Sequence, residues 1–421
     1  MDKLVIEGGS RLKGEVYISG SKNACLPIMA ACMLTDEKCV IKNIPKLKDI
    51  DTMVKILRFL GVKCHKEDGV FVKKSGAFKG FFASYDLVST MRASICVLGP
   101  LIAKKKKARV SFPGGCVIGP RPIDLHLKGL KSLGVQIKID KGYIYAKADN
   151  LRGADIYLGG HFGSSVLATA NVMMSAVLAK GETRIYNAAC EPEIADLVAF
   201  LNKMGAQISG FGTPKICIKG VKKLHGATHK VIADRIEAGT YMIASAITGG
   251  DLTLKNADPF ALMAVIDKLK EIGCNVSIRK GGIRVTRKSR QIKSTTVTTL
   301  PYPGFPTDMQ AQMMSCLTIA GGISIITEKV YPERFIHISE LNRMGSDVIL
   351  EGSHAIVKGV EGLSGTHVMA SDLRASAALV LAGLVASGKT HVHRIYHLDR
   401  GYEKIEKKLV KIGAKIKRVK E

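Results

Sequence analysis

The residues best suited to chemistry fall in three short stretches. Pro113-Gly114-Gly115-Cys116-Val117-Ile118-Gly119-Pro120-Arg121-Pro122 holds three Gly, three Pro, one Cys and one Arg. Such a run can be neither helix nor central strand. It reads as a loop long enough to act as a lid. A thiol on a surface loop beside Arg121 can be tuned as an acid or a nucleophile. The loop lacks the Lys-Ser/Thr ending of a P-loop, which disfavours nucleotide hydrolysis. Pro301-Tyr302-Pro303-Gly304-Phe305-Pro306-Thr307-Asp308-Met309-Gln310 brings Asp308 to a helix start. There the carboxylate either caps the helix or serves as a general base. His397-Leu398-Asp399-Arg400-Gly401-Tyr402-Glu403 offers Arg400, for an anion or for salt bridges with Asp399 or Glu403.

The chain has 421 residues and a net charge of +27. That length suggests two or three domains, and that charge favours acidic partners: nucleic acid, anionic membrane or phosphorylated small molecules. Lys104-Lys105-Lys106-Lys107 reads as a solvated turn, because a nucleic-acid patch wants interleaved aromatics and the run has none. The ten cysteines form no CxxC pair. Zinc is therefore disfavoured, no metal or cofactor is expected, and reduced thiols in a cytoplasm are. The first residues carry no apolar signal core, and the run Ala375 to Gly388 is too short to span a bilayer.

These residues must be positioned by a repeat. A Leu-x-x-[hydrophobic]-Gly pattern recurs six times, with its glycines at 61, 134, 205, 273, 345 and 413, each followed by a β-type stretch. The spacing predicts an amphipathic helix that ends on glycine and feeds a strand. Ile194, Leu197, Val198, Leu201 and Met204 form one such stripe. An earlier helix in each repeat is small and apolar all round, and so buried. These begin near Ser21-Lys22-Asn23, Met91-Arg92, Ser164-Ser165-Val166, Asp234-Arg235, Thr307-Asp308 and Asp372-Leu373-Arg374. Capping accounts for Ser164 and Thr307. Lys22, Arg92, Arg235 and Arg374 oppose the helix dipole unless an anion compensates. Six units of about 70 residues suggest two domains of three.

These stretches also carry a resemblance that covers essentially the whole chain. Gly20-Ser21-Lys22-Asn23-Ala24, Thr90-Met91-Arg92-Ala93-Ser94, the Cys116 loop through His126, Asn187 to Ile194, Phe305 to Gln310, Asp372 to Ser376 and Asp399 to Glu403 resemble the enolpyruvyl transferases. The likeness is to the branch that opens peptidoglycan synthesis. The fold it implies is mixed α/β: two inverse α/β barrel domains (α/β prisms), each of three βαβαββ-type repeats around buried helices. It also implies that residues 1–21 join 233–421 in one domain, that 22–232 form the other, and that the active site lies in the cleft between them.

The reaction it implies moves the enolpyruvyl group of phosphoenolpyruvate to the 3-hydroxyl of UDP-N-acetylglucosamine through a tetrahedral ketal, with release of phosphate. By the same resemblance Cys116 is the general acid, the site of a covalent adduct and the target of fosfomycin, and Asp308 is the base. Lys22, Asn23, Cys116, Arg121 and Arg400 would hold phosphoenolpyruvate. Arg92, Arg121, Pro122, Ile123, Asp124, Leu125, Ser164, Ser165, Val166, Asp308 and Val330 would hold the UDP-sugar, with Arg334, Asp372 and Arg374 in support. Leu167 stands where the family usually has Gly. The expected partners are small molecules only, without nucleic acid or membrane, and the expected species is a monomer. The competing readings are an enolpyruvyl transferase acting on shikimate 3-phosphate, which has no counterpart of the Cys116 loop, an RNA 3′-phosphate cyclase, and a non-catalytic basic nucleic-acid binder.

Overall fold

The computed structural model describes residues 2–114, 123–289 and 291–421. Its contacts divide the chain into two compact units, Gly20–Ile232 and the N-terminal residues to Ser19 with Ala233–Glu421. Each unit has its own apolar core.

In the Gly20–Ile232 unit the core is built around the helices Lys22–Ala31, Leu98–Lys105 and Val166–Ala176, which pack on one another. Every residue of Lys22–Ala31 except Asn23 is buried, as its small apolar composition requires. Three four-stranded sheets accompany these helices. Their strands alternate, as in Glu182–Tyr186, where Thr183 and Ile185 point inward. The other unit repeats the plan with helices Arg235–Thr248, Gln310–Leu317 and Leu373–Gly383 and three more four-stranded sheets.

One wiring serves three of the six sheets outright, and the other three keep its strand order with one strand taken from elsewhere in the chain. The strand before a buried helix pairs parallel with the strand after it, and an antiparallel hairpin that follows the amphipathic helix completes the sheet. In the third repeat Asp155–Tyr157 lies parallel to Glu182–Tyr186, which is antiparallel to Lys215–Lys219, itself antiparallel to Gln207–Ser209. This is the βαβαββ repeat that the family resemblance implies. Three sheets borrow a distant strand. Thr228–Lys230 supplies the parallel partner of Cys39–Lys42, and Asp2–Glu7 inserts between Lys389–His393 and Lys415–Lys420. Lys13–Tyr17 pairs parallel with Asp251–Lys255 across the whole intervening unit in sequence.

The six repeat glycines close the amphipathic helices identically. Gly61, Gly134, Gly205, Gly273, Gly345 and Gly413 all have φ between 85° and 100°. At each, the glycine N–H donates to the carbonyl three residues back, and the next N–H donates to the carbonyl five residues back. At Gly345 the acceptors are Asn342 and Leu341. This is the Schellman arrangement, and the left-handed backbone it needs is costly for a residue with a Cβ. The stripe Ile194, Leu197, Val198, Leu201 and Met204 is fully buried, as its period predicted.

A Cβ at Gly345 would meet open space. Its replacement therefore isolates the conformational term. Gly345→Ala is expected to lower the unfolding free energy by about 1–2 kcal/mol, and Gly345→Asn by less, read from urea midpoints. An alanine variant as stable as the parent would contradict the helix-stop assignment.

Candidate active site

The clearest constellation centres on Asp308. Pro306, not Thr307 or Asp308, caps the short 3-10 turn Thr307–Met309 that leads into Gln310–Leu317. The capping roles considered for Thr307 and Asp308 are thereby corrected: proline ends the preceding extended segment, and both side chains point to other partners. The Asp308 carboxylate sits 2.7 Å from Arg334 Nη1 and 2.8 Å from Arg374 Nη2. Both arginines are buried, whereas the carboxylate keeps 28% of its surface exposed, so a substrate can reach it. Burial alone would raise this carboxyl, but the Arg374 and Arg334 guanidiniums outweigh it and hold it well below the usual carboxylate range.

The clamp is itself clamped. Arg374 opens a helix whose N-cap, Asp372, accepts hydrogen bonds from the Arg374 and Ala375 backbone N–H groups. Its Nη1 donates to the Tyr402 hydroxyl at 3.2 Å. That hydroxyl also meets Thr240 Oγ1 at 2.8 Å and Gln312 Nε2 at 3.1 Å, and the same amide nitrogen donates to the Asp308 carbonyl at 2.9 Å. On the other side, Arg334 donates to Thr307 Oγ1, which donates to Glu328. Glu328 is buried and accepts further bonds from Thr299 Oγ1 and from the backbone N–H groups of Val330 and Tyr331. Asp308, Val330, Arg334, Asp372 and Arg374 are thus brought together in one network. Arg400 lies on the turn Leu398–Arg400, half-buried, close enough to His397 to lower its pKa after burial has done so. The Asp399 carboxylate pairs with Arg418.

The Gly20–Ile232 unit holds a second group. Ser21 caps the first buried helix, and Lys22 Nζ lies 3.2 Å from the buried Asp49 carboxylate. Asn23 follows, half-buried. Lys22 and Arg374 thus answer the helix-dipole argument with carboxylates of the chain itself. The third buried helix is capped by Ser165, not Ser164, through the Ala168 N–H, with Val166 as its first residue. The cap is one residue later than expected because Ser164 precedes the extended residue that the geometry requires. Ile123, Asp124 and Leu125 start the helix Asp124–Ser132. Here Asn171 acts as a tie. It accepts from Gly99 N–H, donates to the Ile95 carbonyl and donates to His126 Nδ1 at 2.8 Å. Those two backbone partners fix the amide orientation, so the His126 proton is on Nε2. Burial, helped by Arg92, lowers the His126 pKa to about 3, which keeps the ring neutral. The stretches beginning at Arg92, Ile123 and Ser164 therefore share one interior fastening. Cys116, Arg121 and Pro122 lie outside the described residues.

The family model described as EPSP synthase (3-phosphoshikimate 1-carboxyvinyltransferase) matches residues 6–409. The chain belongs to the carboxyvinyltransferase, or enolpyruvyl transferase, family. Over 419 residues this transferase is 54% identical to the UDP-N-acetylglucosamine 1-carboxyvinyltransferase of Methylacidiphilum infernorum, covering 100% of this chain and 99% of the relative. It is 51% identical to the enzyme of the same name from Desulfosudis oleivorans, covering 100% of both. Among solved structures, the enolpyruvyl transferase NikO from Streptomyces tendae superposes with a TM-score of 0.89 at 25% identity over 99% of both chains. EPSP synthase from Acinetobacter baumannii shares the fold, with a TM-score of 0.77 at 19% identity over 100% of both chains.

Sequence reasoning on this enolpyruvyl transferase missed Glu328, Tyr402 and Asn171. Tyr402 stood inside a quoted motif without a role. Glu328 ends an alternating strand and gives no local signal of its four bonds.

The Asp308 clamp has a pH signature. A carboxyl whose pKa is depressed on folding stabilises the protein above its unfolded value, about 4. That contribution is lost as pH falls from there through the folded value. The urea midpoint of the parent should exceed that of Asp308→Asn near pH 6, and the gap should shrink steadily below about pH 4. A gap independent of pH would contradict the ion cluster.

Proposed function

We infer that this chain transfers the enolpyruvyl group of phosphoenolpyruvate to the 3-hydroxyl of UDP-N-acetylglucosamine and releases phosphate, the opening step of peptidoglycan synthesis. The observation that carries this reading is full-length identity above one half to curated relatives of that name. The Cys116 loop motif supports the same branch over the one that uses shikimate 3-phosphate.

The chemistry follows from the residues in order. Lys22, Asn23, Arg121 and Arg400 hold the phosphate and carboxylate of phosphoenolpyruvate, guanidinium forks being matched to such planar or tetrahedral anions. Cys116 gives a proton to C3, which makes C2 electrophilic. The 3-hydroxyl oxygen attacks C2, and Asp308 takes its proton. A carboxylate held between two arginines is a weak base, but an alcohol oxygen that has bonded to an electron-poor carbon is a strong acid, so a weak base suffices. The ketal then returns a proton from C3 to the thiolate as the C2–O bond to phosphate breaks, which restores the vinyl group. Arg92, Ile123, Asp124, Leu125, Ser164, Ser165, Val166 and Val330 bind the UDP-sugar. Arg334, Asp372 and Arg374 position the base.

The proposed setting is the cytoplasm, with the monomer as working species and small molecules as partners. Cys32, Cys39, Cys64, Cys96, Cys190, Cys217, Cys274 and Cys316 are free thiols, which accords with a reducing compartment. No described helix is long and apolar enough to cross a membrane.

A phosphate-release assay with each acceptor tests the reading. Release with UDP-N-acetylglucosamine and none with shikimate 3-phosphate is expected, and the reverse would overturn it. In the same assay Cys116→Asp should keep turnover while escaping thiol-directed alkylation. Loss of turnover in that variant would contradict proton donation by this side chain.

A further inference from the structure

A second site lies on a sheet that the reaction does not use. In the sheet of Phe82–Ala83, Lys107–Ser111, Tyr143–Lys147 and Gln136–Asp140, the side chains of Ala108, Val110, Ile144 and Ala146 face the core. The opposite face carries rings and cations in rows. Phe82 stands beside Arg109, Arg109 beside Tyr145, and Tyr145 beside Lys138. In the next row Lys107 stands directly beside Lys147.

The Arg109 guanidinium is ringed by Phe82, Tyr143 and Tyr145, with ring centroids 4.9, 4.6 and 5.1 Å away. Lys107 Nζ lies 4.2 Å over the Phe81 ring. The Lys104–Lys107 run is therefore not a plain solvated turn: Lys104 pairs with Asp36, and the loop that holds Phe78 and Phe81 supplies the aromatics that the run itself lacks, under Lys105 and Lys107.

Two features of this face call for an anion. Arg109 Nε is buried without a hydrogen-bond partner among the described residues, although a buried charged donor normally finds one. Like charges directly opposite across a ladder, as at Lys107 and Lys147, repel unless something neutralises them. The carboxylate near Lys147 is Asp149, 3.7 Å away and, like Lys147, largely in solvent. Arg109 and both lysines line an open groove of about 540 Å³, within the volume range of small-molecule sites. Phe81, Lys107, Arg109, Lys138, Tyr145 and Lys147 are among the residues that line it, and no carboxylate is.

We propose that this pocket binds a free nucleoside polyphosphate. Four cations suit a ligand with three or four negative charges, and a guanidinium fork held among three rings is preorganised for phosphate. The exposed ring of Phe81 and the half-buried ring of Tyr145 give a flat base a surface to stack on. The cavity has room for one nucleotide. None of these residues is assigned to the enolpyruvyl reaction, so the site is separable from it.

The test is calorimetric titration of the full chain with ATP, with UDP-N-acetylglucosamine present at saturation. Binding that weakens with salt is expected. Arg109→Gln should weaken it about tenfold or more, and the exposed Lys138→Gln, which carries little risk to folding, should weaken it severalfold. Phosphate release from phosphoenolpyruvate should be unchanged in both variants. Tripolyphosphate should bind more weakly than ATP. No binding at millimolar ATP, equal affinity in parent and variants, or tripolyphosphate as tight as ATP would each overturn the proposal. Tighter binding of oligoadenylate than of ATP would overturn it in favour of a single strand.

Discussion

A carboxylate fastened between two buried guanidiniums governs the half of the molecule that carries Asp308. Arg334 and Arg374 could not stay charged in the interior without a counterion, and Asp308 is that counterion. Arg374 also begins a helix, where a positive charge is unfavourable, so its pairing with Asp308 relieves two costs at once. Glu328 and Tyr402 then hold the clamp from opposite sides. Each is buried, and each joins segments far apart in sequence.

The clamp is possible because the scaffold is repetitive and stiff. Six identical glycine stops send each amphipathic helix into a strand, and the same four-stranded order recurs in six sheets, three of which take one strand from elsewhere in the chain. The starts of the buried helices are one place where the repeats differ in chemistry. Lys22, Arg235, Asp308 and Arg374 sit at or just before such starts, and Arg92 opens the 3-10 turn Arg92–Val97 that leads into Leu98–Lys105.

Much of that frame was legible beforehand. The glycine period and the 3.6-residue stripes are local signals, and the structure obeys them at every repeat. The borrowed strands were not legible from periodicity, because Asp2–Glu7 and Thr228–Lys230 look like any other alternating segments. Their partners are set by chain closure. Asp308 was picked out by its motif, but its capping role was misjudged because Pro306 already ends the extended segment. Glu328 stayed hidden because a buried carboxylate at a strand end looks like a solvent-facing one until its partners arrive from elsewhere. The aromatic surroundings of the lysine run escaped notice for the same reason: they come from a loop more than twenty residues earlier, not from neighbouring residues.

The account rests on Asp308 as the proton acceptor for the attacking hydroxyl. Single-turnover phosphate release by Asp308→Asn, measured alongside calorimetric binding of UDP-N-acetylglucosamine, tests this most directly. The account predicts a rate lowered by about 10²–10⁴-fold with the sugar nucleotide still bound. A rate within a few-fold of the parent at saturating substrates would contradict it.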